Sequence, residues 1–184
     1  MIVTIHQPAF LPWLPFFKKI EKADVFVMLT HCQFQKNNYQ NRFFYQERWH
    51  TMCVNRGLEP IIDKKYVSFE KDWNKIKTNI PDKKIFLSRF DKYISDNLAK
   101  TNASIIEDLI DVLEIKTKVV YDEPTSLTST DRLVWLCKKH GATTYLSGES
   151  GKNYLEIQKF YDAGINVEFQ DNELIDKKHV LDLF

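Results

Sequence analysis

The sequence is poor in the features that mark secreted, disulfide-bonded and membrane-spanning proteins. Its three cysteines, Cys32, Cys53 and Cys137, are far apart and form no CxxC pair, so neither a disulfide framework nor a cysteine-rich zinc site is indicated. The chain also lacks an apolar run of about 18 residues, the length that a membrane-spanning helix needs. Its N-terminus has no basic segment followed by a long apolar leader. We therefore expect a protein of the reducing cytoplasm.

The chain also has no marked excess of positive or negative charge, since the formal net charge is only +1. Such a balance gives no electrostatic attraction for nucleic acid or for an anionic membrane, and we predict neither as a partner. Three side chains that could bind a metal, His31, Cys32 and His50, have no recognised ligand spacing, so no metal site is predicted. The length of 184 residues and a hydrophobic fraction of 43% predict a single domain, residues 1–184.

Aromatic residues are abundant: the chain has 13 Phe, 8 Tyr and 4 Trp. Most of them are expected in the core, because aromatic side chains bury a large apolar area. One cluster differs because it lies among Gln, Asn and Arg, a mixture that suits the wall of a pocket. This cluster comprises Phe34, Tyr39, Phe43, Phe44, Tyr45 and Trp49.

Short apolar runs alternate with segments of helical periodicity along most of the chain. Strands are predicted at 1–5, 24–30, 117–121, 143–146 and 165–169, and helices at 14–22, 128–140 and 154–163. Gly141 and Gly164 follow the last two helices, as expected of residues that end a helix. This alternation predicts an α/β fold with a mainly parallel, doubly wound (Rossmann-like) sheet.

Two further segments are predicted outside that pattern. A strand pair is expected around 43–45 and 51–54, and a helical segment is inserted at about 72–115. Asn102 or Ser104 is the expected cap of its last helix, with Glu107 as the capping-box partner of Ser104.

The first strand ends in His6 and Gln7, and prolines at 8, 12 and 15 prevent its continuation inside a sheet. Open α/β sheets bind ligands at the carboxyl ends of their strands, so both side chains are candidates for a site. An imidazole is the usual general base near neutral pH, and a carboxamide can orient a substrate or donate to an oxyanion. A histidine that merely bonds to a backbone carbonyl is the alternative for His6.

A second candidate is the turn SGESGKNY at 147–154, which joins a strand to a helix. Its glycines allow close approach of a ligand, the helix N-terminus offers N–H groups to an anion, and Lys152 adds a positive charge. The P-loop pattern GxxxxGK[ST] fails because Leu146 and Asn153 occupy required positions, so no NTPase is predicted. A tight turn without a ligand and the rim of a pocket both remain open.

Four blocks, IHQPAFLPWLPFFKKIEKADVFV, QFQKNNYQNR, TDRLVWLCKKHGATTYLSGESGKNYL and GINVEFQ, occur in the order seen in the WbqC-like protein family, which the chain therefore resembles. The resemblance implies a role in bacterial surface-polysaccharide (O-antigen) biosynthesis. It also implies a transferase that formylates, or more broadly acylates, the amino group of a nucleotide-linked amino sugar, with 10-formyltetrahydrofolate as the formyl donor. A homodimer is left open.

The resemblance also suggests roles for individual residues. His6 is then the base, and Gln7 and Asn41 donate to the oxyanion. Arg42, Lys36 and Lys152 are expected to hold the diphosphate, and Tyr39, Phe34 or Trp13 to stack on a base or pterin ring. The full set of predicted binding residues is Trp13, Gln33, Lys36, Tyr39, Arg42, Arg132, Ser147, Gly148, Ser150, Gly151, Lys152 and Tyr154.

The sequence departs from the family pattern in two places. Thr30 stands where an acidic residue is usual after the second strand, and the chain ends at Phe184, before the longer tail that the resemblance implies. Two other functions stay open: another group transfer, such as condensation of an amino acid with the amino sugar, and non-catalytic binding of a carbohydrate or nucleotide sugar.

Overall fold

The computed structural model describes residues 1–171 and 178–184. It begins with a βαβ unit: β1 (Ile2–His6), α1 (Leu14–Glu21) and β2 (Val25–Met28). Strands β1 and β2 pair in parallel, with Val3 opposite Val25. Proline in the first turn of α1 suits a helix start, because its missing N–H would have no partner there.

A β-hairpin follows, formed by β3 (Arg42–Tyr45) and β4 (Arg48–Thr51). The second strand was predicted at 51–54, which is wrong by three residues. The cause is the two-residue turn at Gln46 and Glu47, whose φ values of 49° and 60° fit a type I′ hairpin. Neither residue is glycine or asparagine, so the sequence carries no sign of this turn.

The helical segment contains α2 (Phe69–Asn79), α3 (Lys84–Ser88) and α4 (Leu98–Val112), with short 3₁₀ turns between them. The predicted cap of α4 is wrong. Helix α4 begins earlier, and the side chain of Asn97 accepts from the backbone N of Lys100 at 2.8 Å. Asn102 instead lies fully buried inside the helix.

The remaining elements are β5 (Lys118–Tyr121), α5 (Ser129–Lys139), β6 (Thr144–Ser147), α6 (Ile157–Asp162) and β7 (Asn166–Phe169). Gly141 and Gly164 follow α5 and α6 with φ of 67° and 73°, which confirms their predicted role. Helix α6 begins at Ile157 rather than at 154. A 3₁₀ helix (Glu149–Asn153) precedes it, so the glycine turn does not open directly into α6.

The five parallel strands are ordered β5-β2-β1-β6-β7, which confirms the doubly wound, Rossmann-like sheet. Alternate residues of β2 face opposite sides: Phe26 and Met28 enter a core with α1, the hairpin and the helical segment, and Val25 and Val27 enter a core with α5 and α6. The strand order reverses between β1 and β6. A crevice is therefore expected where these two strands end.

Within the described ranges, no helix has the length and apolarity needed to cross a membrane.

Candidate functional site

Two cavities open at this reversal point. The small cavity, of about 510 Å³, lies between α1 and the 3₁₀ helix that follows β6. The large cavity, of about 1170 Å³, lies among the segments after β1 and β2 and the start of α5. The residues that line both are His6, Trp13, Phe16 and Ser150. The end of β1 therefore separates two neighbouring spaces.

His6 contacts both cavities, and its side chain is exposed to them at the end of β1. Its Nδ1 lies 2.8 Å from the carbonyl oxygen of Gln7, and the ring packs edge-on against Phe16 at 5.0 Å. Desolvation by neighbouring protein atoms, and secondarily the positive charge of Lys19, lower the pKa of His6 below its usual 6.5, although the Gln7 carbonyl opposes the shift. The ring is therefore neutral, and an Nδ1–H that donates to Gln7 leaves Nε2 as an acceptor. The backbone contact and a role as base are thus compatible.

Gln7 belongs to a chain of hydrogen-bonded side chains rather than standing free. Its Nε2 donates to Sγ of Cys32 at 3.0 Å, and its Oε1 accepts from the amide of Gln40. The amide oxygen of Gln40 in turn accepts from the backbone N of Gln35 at 2.9 Å. Gln7 still lines the large cavity, and no acceptor among residues 1–171 and 178–184 takes its second amide N–H. Burial raises the pKa of the Cys32 thiol, so this sulfur is no ready nucleophile.

The helical segment supports these loops through Asn102. Its amide nitrogen donates to the carbonyl oxygens of Pro8 at 2.9 Å and Gln40 at 2.6 Å. Its side-chain oxygen accepts from the hydroxyl of Tyr66 at 2.8 Å. Asn102 thereby ties the segment after β1 to the segment before the hairpin, a role that the sequence prediction missed.

A buried carboxylate lies at the end of β5, against Thr30. Asp122 accepts from the backbone N of Thr30 at 2.6 Å and from its hydroxyl at 2.9 Å. It also accepts from Arg132 Nη2 at 2.6 Å and contacts His31 Nδ1 at 3.1 Å. An acidic side chain from the end of the neighbouring strand β5 thus lies against Thr30. Arg132 lines the large cavity, but its guanidinium is already paired with this carboxylate.

The turn after β6 contributes Gly148, Ser150 and Lys152 to the small cavity. Ser147 and Gly151 lie buried behind it, where the Ser147 hydroxyl contacts the carbonyl of Gly148 at 3.1 Å. A Cβ added at Gly151 would lie only 2.1 Å from Oγ of Ser147. The second glycine of the turn is therefore required by close packing.

Replacing Gly151 by alanine is expected to destabilise the protein by about 1–3 kcal/mol, because the new methyl group overlaps Ser147 and the turn must shift. Gly148→Ala is the matched control, since a Cβ there meets no atom within 4 Å and should change stability by less than about 0.5 kcal/mol. Urea unfolding of both variants measures the difference. Equal stabilities would contradict the packing account.

Several predicted residues do not line either cavity. The amide of Asn41 donates to the carbonyl of Met52 at 2.9 Å and so fastens the hairpin. Arg42 lies over the ring of Trp49 at 4.1 Å and donates to the carbonyl of Asn37. Lys36 is exposed and outside both linings. Of the three cations predicted to hold a diphosphate, the structure brings only Lys152 to a cavity.

Of the aromatic residues predicted to stack on a ring, some line a cavity and others do not. Tyr39 lines the large cavity and is 56% exposed, and its ring centroid lies 5.5 Å from that of Trp49. The ring centroid of Phe44 lies 5.4 Å from that of Trp49. Phe34, by contrast, is buried in the core. Two further residues of the predicted binding set, Gln33 and Tyr154, also line the large cavity.

Two residues that line the small cavity, Lys19 and Gln170, were not predicted from the sequence. Lys19 is only 3% exposed, and burial lowers its pKa from 10.5 to about 8. Gln170 is also buried and donates to the carbonyl of Pro15 at 2.9 Å. Helical spacing could have found Lys19, which follows inward-facing Phe16 by three residues.

Among residues 1–171 and 178–184, no three His, Cys, Asp or Glu side chains form a group that could hold a metal ion.

Stability is expected to fall as the pH is lowered from about 6.5 towards 5, by about 2 kcal/mol. Burial lowers the pKa of His179 to about 4, and its Nδ1 accepts from the backbone N of Leu181 at 3.2 Å. Because histidine in the unfolded chain has a pKa of about 6.5, the unfolded chain takes up protons first. The lowered pKa of His6 also makes stability fall as the pH is lowered. Urea unfolding between pH 7.5 and 5 measures the effect, and a flat profile would refute it.

The parallel sheet with two cavities at its reversal point defines a Rossmann-like α/β protein. The chain belongs to the WbqC-like protein family, whose sequence model matches residues 7–177. It is 25% identical over 189 residues to "Uncharacterized protein Rv1507c" of Mycobacterium tuberculosis (strain ATCC 25618 / H37Rv), covering 92% of this chain and 81% of that protein. No significant match to a solved structure was found. His6 lies one residue before the matched range, so the case for its role is geometric.

Proposed function

We propose that the protein is a sugar N-formyltransferase, which transfers the formyl group of 10-formyltetrahydrofolate to the amino group of a nucleotide-linked amino sugar for surface-polysaccharide biosynthesis. The observation that carries this proposal is the position of His6 between two cavities. Transfer between two substrates requires both to be held side by side, with a base at the point where they meet.

The proposed reaction requires two groups from this protein, a base and a hydrogen-bond donor. As the neutral sugar amine attacks the formyl carbon, Nε2 of His6 accepts the proton that the amine loses. The second amide N–H of Gln7 donates to the oxyanion that develops on the formyl oxygen. When the C–N bond to the donor breaks, His6 returns the proton to the departing nitrogen of tetrahydrofolate. One C–N bond forms and one breaks, and the imidazole ends neutral.

The rim of the large cavity suits the planar part of a substrate. Tyr39 and Phe44 both line it, and each of their rings packs against Trp49. Exposed aromatic faces of this kind stack on heteroaromatic rings. A pterin or a nucleobase bound there would occupy the same cavity as His6.

A second candidate function is binding of a nucleotide sugar without catalysis. The low pKa of His6 favours it, because a general base works best with a pKa near the working pH. Condensation of the sugar with an amino acid would use the same cavities with a different donor. The donor therefore has to be tested and not assumed.

The test is to incubate the protein with a panel of TDP- and UDP-linked amino sugars and each candidate donor, and to follow the product by mass. Gain of a formyl group only with 10-formyltetrahydrofolate supports formyl transfer. Gain of an aminoacyl group identifies the condensation instead. Nucleotide-sugar binding without product from any donor supports the binding protein.

A further inference from the structure

We infer that Lys19 is the phosphate-binding residue of the small cavity, and that this cavity holds the diphosphate of the nucleotide sugar. The identity of the diphosphate rests on the proposed function; the anion site rests on the geometry alone. Neither the sequence nor the family match singled out this lysine.

The first argument is the missing partner of a buried cation. Lys19 lies in the last turn of α1 with 3% exposure, and no described oxygen accepts from its Nζ. The other two buried lysines among the described residues are paired: Lys64 with Glu59 at 2.8 Å and Lys77 with Asp91 at 2.6 Å. A buried charge is costly unless it is paired. Lys19 is the one of the three whose partner remains to be supplied, and its side chain lines a cavity.

The second argument is the composition of the wall opposite α1. Lys152 lines the same cavity from the 3₁₀ helix after β6. Gly148 allows backbone to approach a ligand closely, and Gln170 adds a carboxamide. Glu149 also lines the cavity but has an interaction of its own. Two cations on facing walls, in a volume of about 510 Å³, suit an anion larger than a single carboxylate.

The position of Lys19 also links binding to catalysis. Its positive charge helps to lower the pKa of His6. An anion bound to Lys19 offsets this charge, and so the pKa of His6 rises when the nucleotide sugar is bound.

The experiment measures binding of pyrophosphate and of UDP by calorimetry at pH 7, with no acyl donor present. Lys19→Met removes the charge and keeps an unbranched side chain of similar length. Lys18→Met is the matched control, because Lys18 is half exposed and pairs with Glu21 at 2.8 Å. We expect affinity at least about tenfold lower in Lys19→Met and within about twofold of wild type in Lys18→Met. Equal affinity of Lys19→Met and wild type would overturn the inference.

A merely structural lysine would behave differently in a thermal melt. Removing an unpaired buried charge should leave the Tm of the free Lys19→Met protein unchanged or higher, while the rise in Tm caused by pyrophosphate is lost. A clear fall in the Tm of the free variant would count against the inference. Lys19→Arg keeps the charge and is the second test: it should retain pyrophosphate binding within about tenfold, and loss of binding would overturn the assignment.

The inference and the proposed function can fail separately. If Lys19→Met abolishes pyrophosphate binding but wild type forms no acylated sugar, the anion site stands and the transferase proposal falls. If Lys19→Met acylates the nucleotide sugar with unchanged KM, the transferase stands and the anion site falls.

Discussion

Replacing His6 by alanine is expected to lower kcat for acyl transfer by about 10²–10⁴-fold, with little change in the affinity for the nucleotide sugar. The reason is that Nε2 of His6 is the acceptor placed between the two cavities, whereas most of the binding surface lies elsewhere. Steady-state kinetics at saturating donor, together with equilibrium binding of the nucleotide sugar, separate the two effects.

The matched control for His6→Ala is His140→Ala. His140 follows α5, before β6 begins, and so lies at the opposite edge of the sheet from the cavities. It should leave kcat unchanged. If His6→Ala retains full kcat, another group removes the proton, and His6 only lines the substrate sites.

The largest effect on stability is expected for Asp122→Asn, which should cost about 3–5 kcal/mol. The substitution keeps the shape of the side chain but removes the charge that balances Arg132, both of which are buried. It also weakens the contacts with Thr30 and His31. Because the cluster joins β2, β5 and α5, its loss affects the sheet and the large cavity together.

Asp131→Asn is the control for that variant. Asp131 lies on the same helix as Arg132, but it pairs with Lys159 at 3.0 Å on the surface, with more than half of its side chain exposed. An exposed ion pair of this kind contributes about 0–1 kcal/mol. Chemical unfolding of both variants measures the difference, and comparable losses would contradict a special role for the buried pair.

What could be predicted from the sequence was the part encoded locally. The run VFVM between Asp24 and Leu29 has to be a buried strand, and glycines at 141 and 164 end helices by adopting positive φ. Such features depend on neighbours within a few residues. From them the doubly wound sheet, and with it the place of His6 at a strand end, could be predicted.

What could not be predicted depends on residues that are distant in sequence. Thr30 and Asp122 are 92 residues apart, and Asn102 bonds to the carbonyl of Pro8 across 94 residues. Asn102 therefore resembled a helix cap, a local role. Lys19 could not be singled out from the sequence, because a positive charge is normally exposed and only packing shows its burial.

The contacts of Asn102 have a consequence for protein engineering. A five-stranded Rossmann core is an attractive minimal scaffold, and the helical segment between β4 and β5 looks like a removable insertion. Yet its residues Tyr66 and Asn102 fix the carbonyls of Pro8 and Gln40, which hold the loops on either side of the large cavity. A shortened version lacking this segment would lose the support of these loops and would also expose the face of the sheet that carries Phe26 and Met28.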